Sequence, residues 1–458
     1  MNTDLLIKNA QIVSEDGIVE GSLAVTGETI AAVLRKDDNV NAKKVIDAGG
    51  MLILPGAIDT HPHFFEPGPT YREDFLHGTR AAASGGFTTI LDMPNTAPPV
   101  RDEETFGIKY KAASENSLID FALWGSAMPT NISKINRLHE LGCIAFKAFT
   151  LDAGPDFDFS GDFAQIEAMR AVKEFNGIYG AHAENGDIVK NSTALYRDKP
   201  WNLDTHEKAR PYYAELSAIN SLLLYAKITG CRLHICHMSI PEGAELIKIA
   251  RENGVDVTVE TCPHYLLLNK ESAGKAGTFA MINPPLRSKE RMEKMWDYVK
   301  DGTIDYIGTD HAPYTVPDKL PEDGDLWKAN AGAPSIDIAV PALFEEAVIN
   351  RKMPLNKFSA LISTNAAKRF GLYPKKGRIA PGVDADFMIL DADDPWVYTR
   401  AESFSKTKVT RFAYEGRRVA CKVRATYLRG QAVFTDGKIM QEPGYGRFLR
   451  SEKLKNGL

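Results

Sequence analysis

Apolar and polar residues alternate along the first 50 residues, in Leu5-Leu-Ile-Lys-Asn-Ala-Gln-Ile-Val13, Ser22-Leu-Ala-Val-Thr26 and Thr29-Ile-Ala-Ala-Val33. Turn residues at Asp16-Gly17 and Gly27-Glu28 separate these runs. This is the pattern of short antiparallel strands. It returns near the other end, in 385–390 and 425–434, before Asp436-Gly437. Neither tail is large enough for its own core. The two are therefore expected to pair into one small β module, residues 1–52 plus 376–458, with 53–375 inserted between them.

The inserted stretch alternates apolar runs with helical periodicity. Strands are expected at 51–58, 87–92, 119–126, 143–149, 178–182, 232–237, 256–261 and 304–309. Helices are expected at 72–84, 102–116, 131–141, 162–176, 209–229, 241–253 and 288–300. Gly85-Gly86, Gly142 and Gly230 supply stop signals, and Pro241-Glu242 supplies a start. Eight strand–helix units of this kind predict an α/β fold, a (β/α)8 barrel. The segments 150–162, 183–208 and 311–335 break the pattern after strands. They are expected as exposed loops over the C-terminal face, where such barrels bind substrate.

With 458 residues, 44% hydrophobic and 25% charged, the chain has the composition of an ordinary globular protein. A net charge of −5 gives no basic footprint for nucleic acid. No apolar run approaches a membrane span. Met1-Asn-Thr-Asp4 lacks the charged and apolar regions of a signal peptide. Cys143, Cys231, Cys236, Cys262 and Cys421 form no Cys-x-x-Cys pair. Scattered thiols of odd number predict reduced, buried packing residues and a cytoplasmic location.

The chemistry sits at strand ends. His61-Pro62-His63 closes the first apolar run, and residues two apart in an extended strand share a face. Lys147 lies in the fourth strand, in Ile144-Ala-Phe-Lys-Ala-Phe149. His182 ends the fifth, His237 the sixth and Asp310 the eighth. Four imidazoles and a carboxylate at one barrel mouth suit two borderline divalent ions such as zinc. Burial and two neighbouring dications disfavour an ammonium at Lys147. A neutral amine there can take up carbon dioxide. The resulting carbamate is an anion able to bridge two metals. His234 falls on the other strand face and reads as packing or as a supporting group behind the ligands. His264 and His311 read as supporting or substrate-facing groups. His77, His139 and His206 read as surface residues, and the basic pair Lys375-Lys376 as solvated charge.

These residues resemble the amidohydrolase superfamily, in its cyclic amidohydrolase branch of dihydroorotases, allantoinases, hydantoinases and dihydropyrimidinases. The resemblance runs nearly end to end. It includes Leu54-Pro-Gly-Ala-Ile-Asp-Thr-His-Pro-His63, Glu66-Pro-Gly68, Met93-Pro-Asn-Thr96, Phe146-Lys-Ala-Phe149, His182-Ala-Glu-Asn185, Cys236-His-Met-Ser239, Asn283-Pro-Pro-Leu-Arg287 and Thr309-Asp-His-Ala-Pro313. It implies a (β/α)8 TIM barrel with a small β-sandwich built from both termini. It implies that His61, His63 and Asp310 bind one metal and His182 and His237 a second. Lys147, as N6-carboxylysine, would bridge them. The metals would be zinc, with manganese or cobalt as alternatives. Asp310 would serve as general base and then acid, with Asn95 and Asn283 holding substrate. By the same analogy the chain would form a homodimer or homotetramer.

The branches differ in the ring they open. A dihydroorotase must hold a carboxylate, and its pattern has arginine and histidine where this chain has Phe65 and Tyr314. A buried carboxylate without charged partners is costly. The expected substrate is therefore an uncharged cyclic ureide or imide such as a 5-substituted hydantoin, with allantoin as the alternative. Trp327-Lys-Ala-Asn-Ala-Gly332 is similar to L-hydantoinases, while Cys262-Pro-His-Tyr265 suits allantoinases. A non-catalytic scaffold related to dihydropyrimidinase would lack part of the ligand set, and this chain keeps all six residues.

Overall fold

The computed structural model describes residues 2–36, 38, 40–410 and 412–451. The two tails meet in one sheet, nine-stranded among the described residues. Its path runs Lys438–Ile439, Gln431–Thr435, Lys422–Leu428, Phe387–Asp391, Leu52–Pro55, Asn2–Ser14, Gly17–Thr26 and Thr29–Arg35, with Asn41–Asp47 paired to Asn2–Ser14. The ladder is continuous rather than divided into two separate layers. Ile30 N–H donates to the Val383 carbonyl and Ala385 N–H to the Glu28 carbonyl. These bonds bring the Thr29–Arg35 edge back towards Phe387–Asp391, so the sheet curls over one core of Ile12, Ile53, Phe387 and Ile389. Side chains one position away point to the opposite face. Leu52, Leu54, Met388 and Leu390 pack there into the large central core with Ala81, Ala82 and Ala83.

The run expected as one strand over 51–58 is two. Leu52–Pro55 belongs to the curled sheet, and Ala57–Asp59 starts a parallel one. The break falls at Gly56, where a Cβ would lie 2.1 Å from Thr88 Oγ1. Only glycine lets the chain pass Thr88 as it crosses between sheets. From there, parallel segments follow in chain order. Ala57–Asp59, Phe87–Asp92 and Asp120–Leu123 form one ladder. Gly125–Ser126, Phe146–Phe149, Ile178–His182, Arg232–Ile235, Val257–Thr261 and Tyr306–Ile307 form another. No closed ladder forms among the described residues. Individual hydrogen bonds join the two edges instead. Ile144 N–H donates to the Leu123 carbonyl, at 2.9 Å, and His63 N–H to the His311 carbonyl, at 2.8 Å. Buried Asp59 accepts from the N–H and hydroxyl of Thr309, which ties the first parallel segment to the last.

The intervening helices lie close to the sequence expectation, at Phe75–Ser84, Glu103–Asn116, Ile135–Leu141, Asp162–Glu174, Tyr212–Thr229, Pro241–Glu252 and Lys289–Lys300. Gly142 and Gly230 end two of them at positive φ. The segment 183–208 departs from its expectation as an exposed loop. It carries the helices Gly186–Tyr196 and Leu203–Ala209, whose first turns are capped by the side chains of Asn185 and Asn202. All five cysteines are buried thiols. Among the described residues, no helix is long and apolar enough to cross a membrane.

Lys376 is not solvated charge. It is 3% exposed, and its ammonium meets Asp120 at 2.6 Å, Asp384 at 2.9 Å and Asp386 at 2.5 Å. Arg429 joins the cluster by pairing with Asp120. Asp120 begins a parallel strand, so these charges pin the terminal segments onto the inserted part of the chain. Lys376→Met should cost about 3–5 kcal/mol, because it strands buried carboxylates. A fall in the urea midpoint at pH 7 would register this. The loss should shrink at acid pH, where the carboxyls can neutralise.

Candidate metal centre and substrate cavity

His61 and His63 lie just beyond the Ala57–Asp59 strand rather than inside it. The extended path still continues between neighbours, with Pro62 bridged to His311 and the Met93 N–H donating to the Pro62 carbonyl. The two imidazoles therefore face the same interior, their centroids 5.3 Å apart. His237 stands 5.0 Å from His61 and 4.6 Å from His182, centroid to centroid. Asp310 Oδ1 is 3.2 Å from His63 Nε2 and 3.7 Å from His61 Nε2. Lys147 Nζ is 3.4 Å from His61 Nε2. All six residues line one cavity of about 330 Å3, together with Asn95 and Asn283.

Local backbone geometry is strained at this site. His237 has φ 37°, Asp310 φ 45° and Phe65 φ 51°. A left-handed conformation at such residues costs roughly 1–3 kcal/mol each. The tertiary structure holds His237 and Asp310 there to aim their side chains inward.

Burial lowers the proton affinity of His63, His182 and His237, well below the usual range for His237, and the Lys147 charge adds to it. Neutral imidazoles are the form that binds metal. Burial raises the Asp310 carboxyl, but the hydrogen bond from His63 and the charges of His61 and His63 outweigh it and hold the group below its ordinary value. Lys147 is fully buried and has no carboxylate partner among the described residues.

The spacing of histidines did not reveal the carboxylates behind them. Glu260, in Val257–Thr261, is fully buried. It pairs with His61 Nδ1, accepts from the Thr60 hydroxyl at 2.5 Å and lies 3.4 Å from His234 Nε2. Burial opposes ionisation of Glu260, yet the His61 and His234 charges keep it well below the carboxylate range. Burial and the Lys147 charge push His61 down, and the Glu260 charge together with the hydrogen bond and charge of Cys236 outweighs them, raising it to about 9. A carboxylate that stabilises positive charge on this ring also favours a cation at its Nε2. Glu184 similarly takes His182 Nε2 at 2.7 Å and is forked by Arg210. The available signal for Glu260 was a lone carboxylate in a strand of valines and threonines, Val257–Thr261.

The residues fit a metal centre. His61, His63 and Asp310 each offer a donor atom within 4.8 Å of the others. His237 Nδ1 is buried with no hydrogen-bond partner among the described residues. His61 Nδ1 is committed to Glu260, which leaves Nε2 facing the cavity group. Imidazole and carboxylate donors with anchored outer nitrogens suit zinc-like ions.

His206 corrects the sequence reading. It is buried rather than at the surface, with Nε2 on the Ile282 carbonyl and on Asn283. His234 and His311 are buried supports. His234 contacts Thr258 and Tyr306, and His311 Nδ1 accepts from the Ser335 and Ile336 N–H groups. Phe65 and Tyr314 form an aromatic wall of the cavity, 5.4 Å apart.

The model of the amidohydrolase family matches residues 52–433. An allantoinase of Rubrobacter xylanophilus is 36% identical over 99% of this chain and 98% of its own length. An allantoinase of Escherichia coli K12 is 36% identical over 95% of this chain and 96% of its own. Among solved structures, the L-hydantoinase (dihydropyrimidinase) of Arthrobacter aurescens superposes with TM-score 0.94 and 32% identity, covering 97% of this chain and 99% of that one. The D-hydantoinase (dihydropyrimidinase) of Thermus sp. superposes with TM-score 0.90 and 27% identity, over 98% and 99%.

Proposed function

The chain belongs to the amidohydrolase family, and from that premise we propose that it opens the hydantoin ring of an uncharged 5-substituted hydantoin at a two-cation centre. The enzyme class is hydrolysis of a cyclic amide C–N bond. The observation that carries the reading is the convergence of four imidazoles, Asp310 and a buried, carboxylate-free Lys147 on one cavity. In this reading the parallel segments make a (β/α)8 barrel over 53–375, and 1–52 with 376–458 make the terminal β unit. Oligomeric assembly and a cytoplasmic location belong to the same proposal.

His61, His63 and Asp310 would hold one divalent ion, and His182 and His237 the other. N6-carboxylated Lys147 would span them. Zinc suits the donor set, and manganese or cobalt can substitute. When bound, such ions ionise water near neutral pH and polarise a carbonyl. Asp310 takes up the proton released from the attacking water. The ring C–N bond breaks as Asp310 returns that proton to the departing nitrogen, leaving an open-chain carboxylic acid that gives up its own proton to solvent. Asn95 and Asn283 hold the ring by amide hydrogen bonds, which suit a ureide because it offers both N–H and C=O.

The Phe65–Tyr314 wall disfavours dihydroorotate, whose carboxylate needs a free cation. Arg210 lines the cavity but is committed to Glu184. Arg72, stacked on Phe65 and Tyr314, is committed to Asp318. A second reading, allantoin, shares the same ring and carries a ureido substituent. The allantoinase names of the 36% relatives favour it, and Asp152 and Asn330 in the wall could hold the extra urea group. Initial rates on hydantoin, 5-substituted hydantoins, allantoin, dihydrouracil and dihydroorotate test the proposal. A 5-substituted hydantoin other than allantoin should be opened fastest, and allantoin fastest would establish the second reading instead. Turnover of dihydroorotate above all the others would refute both.

Glu260→Gln keeps the shape but removes the charge behind His61. Metal affinity should fall about 10–100-fold, by competition against a chelator, with the fold retained by circular dichroism. Unchanged affinity would separate Glu260 from the metal centre.

A further inference from the structure

Asn283 lines the cavity, and its carboxamide has a fixed neighbour. His206 Nε2 lies 3.1 Å from the Ile282 carbonyl oxygen and 3.1 Å from Asn283 Oδ1. A backbone carbonyl can only accept, so Nε2 carries the hydrogen. The Asn283 atom facing that N–H is therefore its oxygen. Nδ2 is the atom left for the cavity, where it meets no acceptor among the described residues.

The arrangement is held on both sides. His206 is 6% exposed and sits on Leu203–Ala209, next to Trp201 at a centroid distance of 5.8 Å. Burial and the Arg210 charge lower His206 to about 4, so its ring is neutral at pH 7. The Met281 carbonyl, two residues before Asn283, accepts from buried Lys319 at 3.1 Å and from the Gly332 N–H at 2.9 Å. The loop carrying Asn283 is thus anchored before the amide as well as at it. Asn95 supplies the complementary group, since its Oδ1 is buried without a partner among the described residues.

We propose that His206 is a positioning residue that locks the Asn283 carboxamide with its nitrogen towards the cavity. This wall then takes a carbonyl oxygen of the ring and refuses a ring N–H. The inference deepens the ring-opening reading above and rests on it for the identity of the ligand. It assigns a polarity to the wall, so the site should distinguish rings by which group they present there.

The test uses the full-length, metal-loaded enzyme with hydantoin and its 2-thio and 4-thio analogues, because a thiocarbonyl accepts hydrogen bonds poorly. In the wild type, one thio analogue should show a raised KM. His206→Phe removes the donor but keeps a ring beside Trp201. Its KM for hydantoin should rise about tenfold, with kcat little changed, as expected for loss of one hydrogen bond that acts equally on ground and transition states. The discrimination against that thio analogue should fall towards unity. His206→Gln retains an N–H and should recover part of it. A merely structural role would slow all three rings in proportion, and that result would overturn the proposal. The Asn283 side-chain 1H–15N pair, assigned with Asn283→Ala, gives a readout independent of turnover. It should shift in His206→Phe, and an unchanged pair would also overturn the proposal. Absence of ring opening in the wild type would instead refute the ring-opening reading while the amide shift still reports on His206.

Discussion

Lys147→Met should lose at least ~10³-fold in kcat/KM and should retain fewer than two metals per chain, because the proposed bridging carbamate would be gone, and with it the several kcal/mol of charge stabilisation that paired cations would supply. Methionine fills the space of the lysine stem, so the fold should survive. The native side chain is 0% exposed, and its amine sits 3.4 Å from His61 Nε2 with no carboxylate partner among the described residues. Intact-protein mass spectrometry under native conditions should show a CO2 adduct in the wild type and none in the variant. In 13CO2-equilibrated samples a carbamate carbon signal should appear with the wild type alone. Lys147→Ala leaves a void, and added formate or acetate should restore part of the activity by supplying a bridging carboxylate. Full metal loading and activity in Lys147→Met would remove the basis of the mechanism.

Asp310→Asn should reduce kcat on a hydantoin by about 10²–10⁴-fold, the range for loss of a positioned acid–base group. Asparagine preserves shape and can offer its oxygen to a cation, but it cannot accept and return a proton. The hydrogen bond from His63 and the charges of His61 and His63 outweigh burial and hold the wild-type carboxyl below its ordinary value, as the proposed role requires. Its strained backbone, φ 45°, is tolerated well by asparagine, so stability should change little. A substrate with a better leaving nitrogen should recover part of the rate, because its departure needs less proton donation. Retained activity would point to a scaffold with incidental hydrolysis or to another base.

The alternating pattern of the tails was enough to predict that they pair, because a two-residue period shows which residues share a sheet face. Leu52, Ile53 and Leu54 obey it, with Ile53 in the terminal core and its neighbours in the central one. Glycine and proline signals placed most helix ends, since those residues act on the backbone locally. The segment 183–208 was less legible. Its polar residues read as loop, although two of its asparagines are helix caps.

The candidate donors were legible because unusual side chains recur at the ends of apolar runs. Sequence alone therefore determined the chemistry available: four imidazoles, a lysine and an aspartate that a barrel would gather at one end. Only the tertiary structure decided which charges support them. Glu260 reaches His61 across 199 positions and Lys376 reaches Asp120 across 256. His206 reaches Asn283 across 77. None of these pairings has a local period. Each depends on where distant strands and loops come together, and on the free energy gained when a buried charge or amide finds its partner there.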